Sequence, residues 1–272
     1  MPVYSSIRYD PIGHCIYCGA RNCELGDEHI IPESLNGHAV LPDASCGSCE
    51  AKICKIEGYL ARRTFWSLRL FFNFRSKRSK NKRPGYLDIE LSDGTHTYYK
   101  RSDIQDAPIT TLLFAFQPPG ILLGLPPTDT FKNSRMWWLS SGDTDAYMRQ
   151  LRGQRLRIGP FRHRTFARLL AKIGRGLAVA ELGEEAFQPI PSLCDMILGR
   201  SDDLPYLVGG DFDIKPPSEH GHEFGFEYKT INERRYVVVR LRLLAWLGTP
   251  TYRVVVGEVD PNVEPPRHLS AG

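Results

Sequence analysis

The spacing of apolar residues predicts two helices in this chain. In "EAKICKIEGYLARRTFWSLRLFFNF", which starts at Glu50, Ile53, Ile56, Tyr59 and Leu60 recur on one helical face. We read one long helix here, with Gly58 as a candidate break because glycine is a poor helix former. A second helix is predicted over residues 164–187, despite two internal glycines, from the apolar positions Phe166, Leu169, Leu170, Ile173, Leu177 and Val179.

Strand patterns dominate the second half of the chain. In "RRYVVVRLRLLAWLG", four apolar residues at every second position define one face of a strand: Val237, Val239, Leu241 and Leu243. The segments "YLVGGDFDI", "HEFGFEYKTI" and "YRVVVGEV" also read as strands, and residues 107–135 as strand plus loop. "YLDIELSDGTHTYYK" alternates around Asp93-Gly94 and predicts a hairpin. The predicted fold class is α+β, with a mostly antiparallel sheet packed by the second helix.

The first residues, up to about 49, have a different composition, rich in Cys, Gly, Pro, Asp and His, with only short apolar runs. This is typical of a small metal-stapled module. We therefore expect three parts: a module over residues 1–60, a helix end and basic linker over 61–85, and a larger α+β domain over 86–272.

Composition places the chain among ordinary globular proteins, with 272 residues, 42% apolar and 24% charged. The sequence contains no signal-peptide pattern and no apolar window long enough to span a bilayer, so we expect a soluble, cytoplasmic protein. The net charge of +4 and the pI near 8.6 permit a nucleic-acid partner without requiring one.

Four of the seven cysteines form two C-x-x-C pairs, Cys15 with Cys18 and Cys46 with Cys49. In a reducing compartment such pairs are typical zinc ligands. A site closed by four thiolates leaves no position for a reacting water, so the predicted Zn²⁺ is structural. The other three cysteines have no partner at ligand spacing and are expected to be small buried apolar residues: Cys23, Cys54 and Cys194.

The stretches "CIYCG", "DEHIIPESLNG" and "LPDASCGSCEAKI" together resemble the HNH endonuclease family, in the form where two C-x-x-C pairs bracket an acidic-His-apolar-Pro element. The resemblance covers about a fifth of the chain. It implies a ββα-metal module, a β-hairpin followed by a helix, which holds a divalent cation against a scissile phosphate. It also implies that His29 is the general base, and that Glu28 and Glu50 hold a catalytic Mg²⁺ or Mn²⁺.

Two positions depart from the family pattern. Glu50 stands where the family usually has His or Asn, and the middle Asn that orients the base has two candidates, Asn36 and Asp43, of which we favour Asn36. His38 is also a candidate neighbour of the site. Glu57, two helical turns beyond Glu50, is expected to make only a helix-surface or capping interaction.

Two basic segments could contact phosphates. The first contains six cations after the first helix, and the alternative for it is a solvated linker: Arg75, Lys77, Arg78, Lys80, Lys82 and Arg83. The second runs over residues 149–164. Adjacent Trp137 and Trp138 are expected in the core rather than stacked on bases, and His220 and His222 as exposed or structural residues.

The sequence thus predicts a metal-dependent endonuclease that hydrolyses DNA, with RNA as the alternative substrate and no membrane partner. Two alternatives remain open: a zinc module that binds nucleic acid without catalysis, and a protein-interaction adaptor. Cleavage and binding assays separate the three, whereas zinc content does not.

Overall fold

The computed structural model describes residues 6–74, 86–90, 93–100, 109–141, 149, 161–212 and 215–260. Short 3-10 turns aside, the helices are α1 Gly47–Arg62, α2 Trp66–Phe71, α3 His163–Leu182, α4 Pro191–Ile197 and α5 Leu204–Leu207. The strands are β1 Ile7–Arg8, β2 Leu25–His29, β3 Ala39–Cys46, β4 Tyr86–Glu90, β5 His96–Lys100, β6 Ile109–Ala115, β7 Arg135–Ser141, β8 Gln188–Pro189, β9 Val208–Gly210, β10 His222–Ile231, β11 Arg234–Leu243 and β12 Tyr252–Val259.

The N-terminal residues form a three-stranded sheet in the order β1-β3-β2. β2 and β3 are antiparallel, with Leu25 opposite Cys46 and His29 opposite Val40. β1 is parallel to β3. Because β3 runs directly into α1, its last residue, Cys46, lies at the N-terminus of that helix.

The single long helix predicted here is two helices, and the interruption does not lie at Gly58, because α1 continues through it to Arg62. A β-carbon at Gly58 would meet only the flexible end of the Arg62 side chain. The helix instead ends before Phe65, whose amide bonds to the Leu60 carbonyl and whose ring is buried 6.2 Å from that of Phe166. Burial of Phe65 therefore sets the boundary between α1 and α2.

The C-terminal sheet has the order β10-β11-β12-β8, with β9 also paired to β12, and every pair in it is antiparallel. α3 packs on this sheet, as the sequence predicts, and its two glycines allow the close approach. A β-carbon at Gly174 would lie 2.8 Å from Val254 of β12, and one at Gly176 would lie 3.3 Å from Ile30.

Two separate hairpins complete the described strands. β4 and β5 flank Asp93-Gly94 as predicted, and Gly94 has a φ of +83°, a backbone conformation that favours glycine. β6 pairs with β7 in the second hairpin. The fold is thus mixed α+β with several mostly antiparallel sheets, which confirms the predicted fold class at that level.

α3 joins the N-terminal residues to the C-terminal sheet, because it packs against α1 on one side and β12 on the other. The buried apolar residues form a continuous cluster from Cys15 to Val256. None of the helices in the described ranges combines the length and apolar composition needed to cross a membrane.

Candidate metal centre and its surroundings

The four predicted zinc ligands come together in the structure. Cys15 and Cys18 lie in the loop before β2, Cys46 ends β3, and Cys49 is in the first turn of α1. Their sulfur atoms all lie within 4.8 Å of one another, and those of Cys18 and Cys46 are 3.6 Å apart. Sulfurs around a tetrahedral zinc, each about 2.3 Å from the metal, are about 3.8 Å apart, so the donor set fits Zn²⁺.

The local chemistry also favours a bound cation. A hydrogen bond from the Ser48 hydroxyl and another from the Cys49 amide lower the pKa of Cys46 to about 6. Burial and the neighbouring sulfurs instead raise the pKa of the Cys49 thiol. Four thiols packed this closely cannot all ionise without a positive ion between them, whereas zinc binds all four as thiolates.

His29 lies at the end of β2, with its side chain 29% exposed. Its Nε2 is 4.0 Å from a carboxylate oxygen of Glu33, which lies in the 3-10 turn after β2. Its Nδ1 is buried, with no hydrogen-bond partner among the described residues. The spacing of four residues between His29 and Glu33 is a signal that the sequence analysis missed.

Glu28 points to the opposite face from His29 and is 4% exposed. Its carboxylate lies 2.6 Å from the ammonium of Lys172 on α3, which is also 3.0 Å from Glu57. The same ammonium donates to the carbonyls of His29 and, at 3.1 Å, of Ile30. The expectation that Glu57 makes only a surface or capping contact is therefore wrong.

The cage around Lys172 consists of two carboxylates and two carbonyl oxygens. Burial by itself would lower the pKa of Lys172, but the charges of Glu28 and Glu57 outweigh it and raise that pKa. The ammonium is therefore charged near neutral pH. It anchors α3 to both β2 and α1, close to the backbone of His29.

The other predicted site residues are dispersed. Glu50 is exposed in the first turn of α1, and one of its carboxylate oxygens would lie 3.7 Å from a β-carbon at Gly26. Asn36 has a left-handed backbone, with φ +64°, and ends the turn that carries Glu33. Asp43 is exposed on β3. Within the described ranges, the four cysteines are the only group of three or more His, Cys, Asp or Glu residues close enough to share a metal.

The first basic segment, from Arg75 to Arg83, lies outside the described residues, as does most of the second. Of the second, Arg162 lies over the ring of Tyr59, 4.5 Å from its centroid, and Arg164 pairs with Asp129 and Asp202. Arg164 is thus partly neutralised by neighbouring carboxylates.

Burial also decides the expectations for the three remaining cysteines and for the two tryptophans. Cys23 and Cys54 are exposed, so the expectation that they are buried is wrong, whereas Cys194 is partly buried. Trp138 is exposed to 42%, against the expectation of a core residue, and Trp137 is partly buried. His222 has a structural role, described below.

His222 joins the C-terminal sheet to the turn that follows His29. Its Nδ1 accepts a hydrogen bond from the Leu244 amide at 3.1 Å, and its Nε2 lies 3.0 Å from the Leu35 carbonyl. Only the neutral ring with its proton on Nε2 satisfies both contacts. Burial lowers the pKa of His222 to about 4, which agrees with this neutral form.

Comparison with known proteins adds no family assignment. No family model matches the sequence, and no curated protein or solved structure matches it significantly.

Proposed function

We propose that this protein is a zinc-stapled HNH-type endonuclease that hydrolyses phosphodiester bonds of DNA, with His29 as general base. One observation carries the proposal. A partly exposed histidine ends β2, the strand between the two cysteine pairs, and the chain continues through β3 into α1. This order of two strands and a helix is the one that the HNH resemblance implies, and the ββα-metal module is part of the proposal.

The surroundings of His29 suit proton uptake from water. Because Nδ1 is buried, we assign the base role to Nε2. Glu33, 4.0 Å from Nε2, stabilises the imidazolium that forms when the ring takes a proton from the attacking water. The role predicted for Asn36, at the end of the same turn, requires its side chain to turn toward the ring, because the Nδ1 of His29 has no hydrogen-bond partner among the described residues.

The resemblance also implies a Mg²⁺ or Mn²⁺ held by Glu28 and Glu50. The arrangement of these residues does not fit that ion, because the carboxylate of Glu28 is already engaged by Lys172. No step of the proposed chemistry is therefore assigned to a cation on Glu28. The zinc keeps a structural role, since its four sulfur ligands close the site.

The test is cleavage of supercoiled plasmid DNA and of RNA, with and without added Mg²⁺ or Mn²⁺. We expect His29→Ala to lose about 100-fold or more in rate, the contribution of a general base. We expect Glu33→Gln to slow cleavage, because the imidazolium formed in the reaction loses a neighbouring negative charge. Equal cleavage by wild type and His29→Ala would exclude the assigned role.

The matched control is His96→Ala, which removes an exposed histidine from β5, outside the zinc-binding residues. It should leave the rate unchanged. Zinc content and the far-UV circular dichroism spectrum are measured for every variant, so that a loss of rate is attributed to His29 only in a folded, zinc-loaded protein.

A second candidate function is nucleic-acid binding without catalysis. It is favoured by one observation, the engagement of Glu28 by Lys172 in place of a metal ion. This candidate predicts DNA binding whose affinity falls steeply with salt, together with no cleavage under any divalent metal. Replacing the six cations from Arg75 to Arg83 with Gln should then reduce the slope of log affinity against log salt.

A further inference from the structure

A cavity of about 410 Å³ lies on the C-terminal sheet, far along the chain from the zinc ligands. It is lined mainly by residues of β10 and β11, together with Lys215 and Thr251. This volume lies within the range of about 300–1,000 Å³ typical of small-molecule sites and exceeds what a single phosphate needs.

Positive charge is in excess around the cavity. Among the described residues that line it, Lys215, Arg240 and Arg242 are cationic and Glu223 is the only carboxylate. Arg240 also has a contact of 3.8 Å with Glu227, a residue outside the lining. The lining therefore favours an anionic ligand.

Arg242 is the best-defined of these cations because it is only 4% exposed. Its guanidinium donates to three backbone carbonyls, those of Thr249 at 2.9 Å, Lys215 at 2.9 Å and Pro216 at 2.6 Å. Carbonyl oxygens hold the group in place without neutralising it. Glu223 pairs with it at 3.6 Å but is partly exposed. An anion in the cavity would add to the compensation of this buried charge.

One further feature indicates what kind of anion fits. Thr251 is 3% exposed, and its hydroxyl is buried without a hydrogen-bond partner among the described residues. A buried hydroxyl of this kind is costly unless a ligand or water bonds to it. A hydroxyl among cations suits a phosphate oxyanion. Phe224, on the edge strand β10, is 44% exposed, but it pairs with Leu241 whereas Arg240 pairs with Gly225, so the ring lies on the opposite face of the strand from the arginine side chains.

We propose that this cavity binds a nucleoside phosphate, with the phosphate held by Lys215, Arg240 and the Thr251 hydroxyl and the nucleoside in the remaining volume of the cavity. The ligand is either a free nucleotide or a nucleotide unit of a nucleic-acid strand. The proposal does not depend on the nuclease function, since none of these residues belongs to the zinc site or lies beside His29.

Isothermal titration calorimetry on the full chain, without added Mg²⁺ or Mn²⁺, tests the proposal. The probes are AMP, adenosine, inorganic phosphate and a 5′-phosphorylated oligonucleotide. We expect AMP to bind saturably and more tightly than adenosine. Lys215→Gln should weaken AMP binding about tenfold, the effect of losing one charge-assisted hydrogen bond. Thr251→Val should weaken it several-fold.

Lys229→Gln is the matched control, because Lys229 is an exposed lysine on β10 that does not line the cavity. This variant should bind AMP like the wild type. Tighter binding of the oligonucleotide through the same residues would identify a nucleic-acid strand as the source, and equal affinities would identify the free nucleotide. Equal affinities for AMP and adenosine, no saturation by AMP at millimolar concentration, or unchanged binding in folded Lys215→Gln would each overturn the proposal. Because binding is measured without cleavage, the result is independent of the His29 test.

Discussion

Replacing Lys172 with methionine tests the buried charge cluster on which the placement of His29 depends. Methionine has a similar length but no charge, so the substitution leaves Glu28 buried without its cation. Lys172 is 1% exposed and lies 2.6 Å from Glu28 and 3.0 Å from Glu57. Removing one partner of such a buried pair typically costs about 3–5 kcal/mol, since the remaining charge is uncompensated.

The assay is equilibrium urea unfolding of the zinc-loaded protein, as single variants and in a cycle with Glu28→Gln and Glu57→Gln. Lys172→Met alone should lower the free energy of unfolding by about 3–5 kcal/mol near pH 7.5. The triple variant should recover most of that loss, because no buried charge remains.

The cost of Lys172→Met should also depend on pH. Burial raises the folded-state pKa of Glu28 already in the wild type, and Lys172 opposes that rise. Without the ammonium the pKa is raised further above its unfolded value, so the variant is stabilised at low pH, where Glu28 is protonated. This stabilisation is lost as the pH rises, and the difference from wild type should grow from pH 5 to pH 8. As a control, Lys229→Met, at an exposed position, should change stability by less than about 0.5 kcal/mol.

Two outcomes would refute this reasoning. The first is a cost of less than about 1 kcal/mol for Lys172→Met, which would mean that the charges are not buried together. The second is that Lys172→Met lowers the free energy of unfolding equally in the wild type and in the Glu28→Gln, Glu57→Gln background. The coupling energy would then be zero, which would exclude an interaction between these side chains.

Three other predictions concern the zinc site, the pH dependence and the packing of α3. Metal analysis should find about one zinc per chain and little in Cys49→Ser, which should also unfold at lower urea, because a structural zinc site contributes about 10 kcal/mol. His222→Gln should make stability less dependent on pH. With a folded pKa of about 4 and an unfolded value near 6.5, the contribution of His222, about 3 kcal/mol, is present above pH 6.5 and is lost as the pH falls toward 4. Gly174→Ala should destabilise by about 1–3 kcal/mol, since the added carbon would lie 2.8 Å from Val254.

Each of these predictions has a control in the same chain. Cys54→Ser removes an exposed cysteine and should leave the zinc content unchanged; an equal loss in both variants would contradict the zinc assignment. Acid removes zinc from both the wild type and His222→Gln, so this loss cancels when the two proteins are compared. If their free energies of unfolding fall in parallel as the pH falls, the role of His222 is contradicted. Gly58→Ala, which would meet only the flexible Arg62 side chain, should stabilise by up to about 1 kcal/mol. A similar gain in Gly174→Ala would exclude the close packing of α3.

Features set by local sequence were predicted well. The C-x-x-C spacing indicates a zinc site because each pair forms one tight turn, and the structure brings the four sulfurs together. Alternation in β11 and the apolar spacing of α3 predict these elements for the same reason, since a period of two or of 3.6 residues is a local property. Burial is wider than the pattern predicts, because Val238 and Arg242 on the other face of β11 and Lys172 and Arg175 in α3 are buried as well. The Asp93-Gly94 hairpin is a further example.

Other features were decided only by contacts between distant parts of the chain. Lys172 reads as an ordinary lysine in a helix, and Glu57 as a surface residue, until folding buries Lys172 between Glu28 and the partly buried Glu57. Gly174 reads as a weak point in α3, although it lets the helix approach β12.

The sequence by itself thus determined the zinc ligands, the fold class and the main helices and strands, because each depends on residues that are near neighbours in the chain. The tertiary structure alone decided which charges are paired and where a cationic cavity forms. Both depend on burial, and burial at any position is set by which distant segments pack over it.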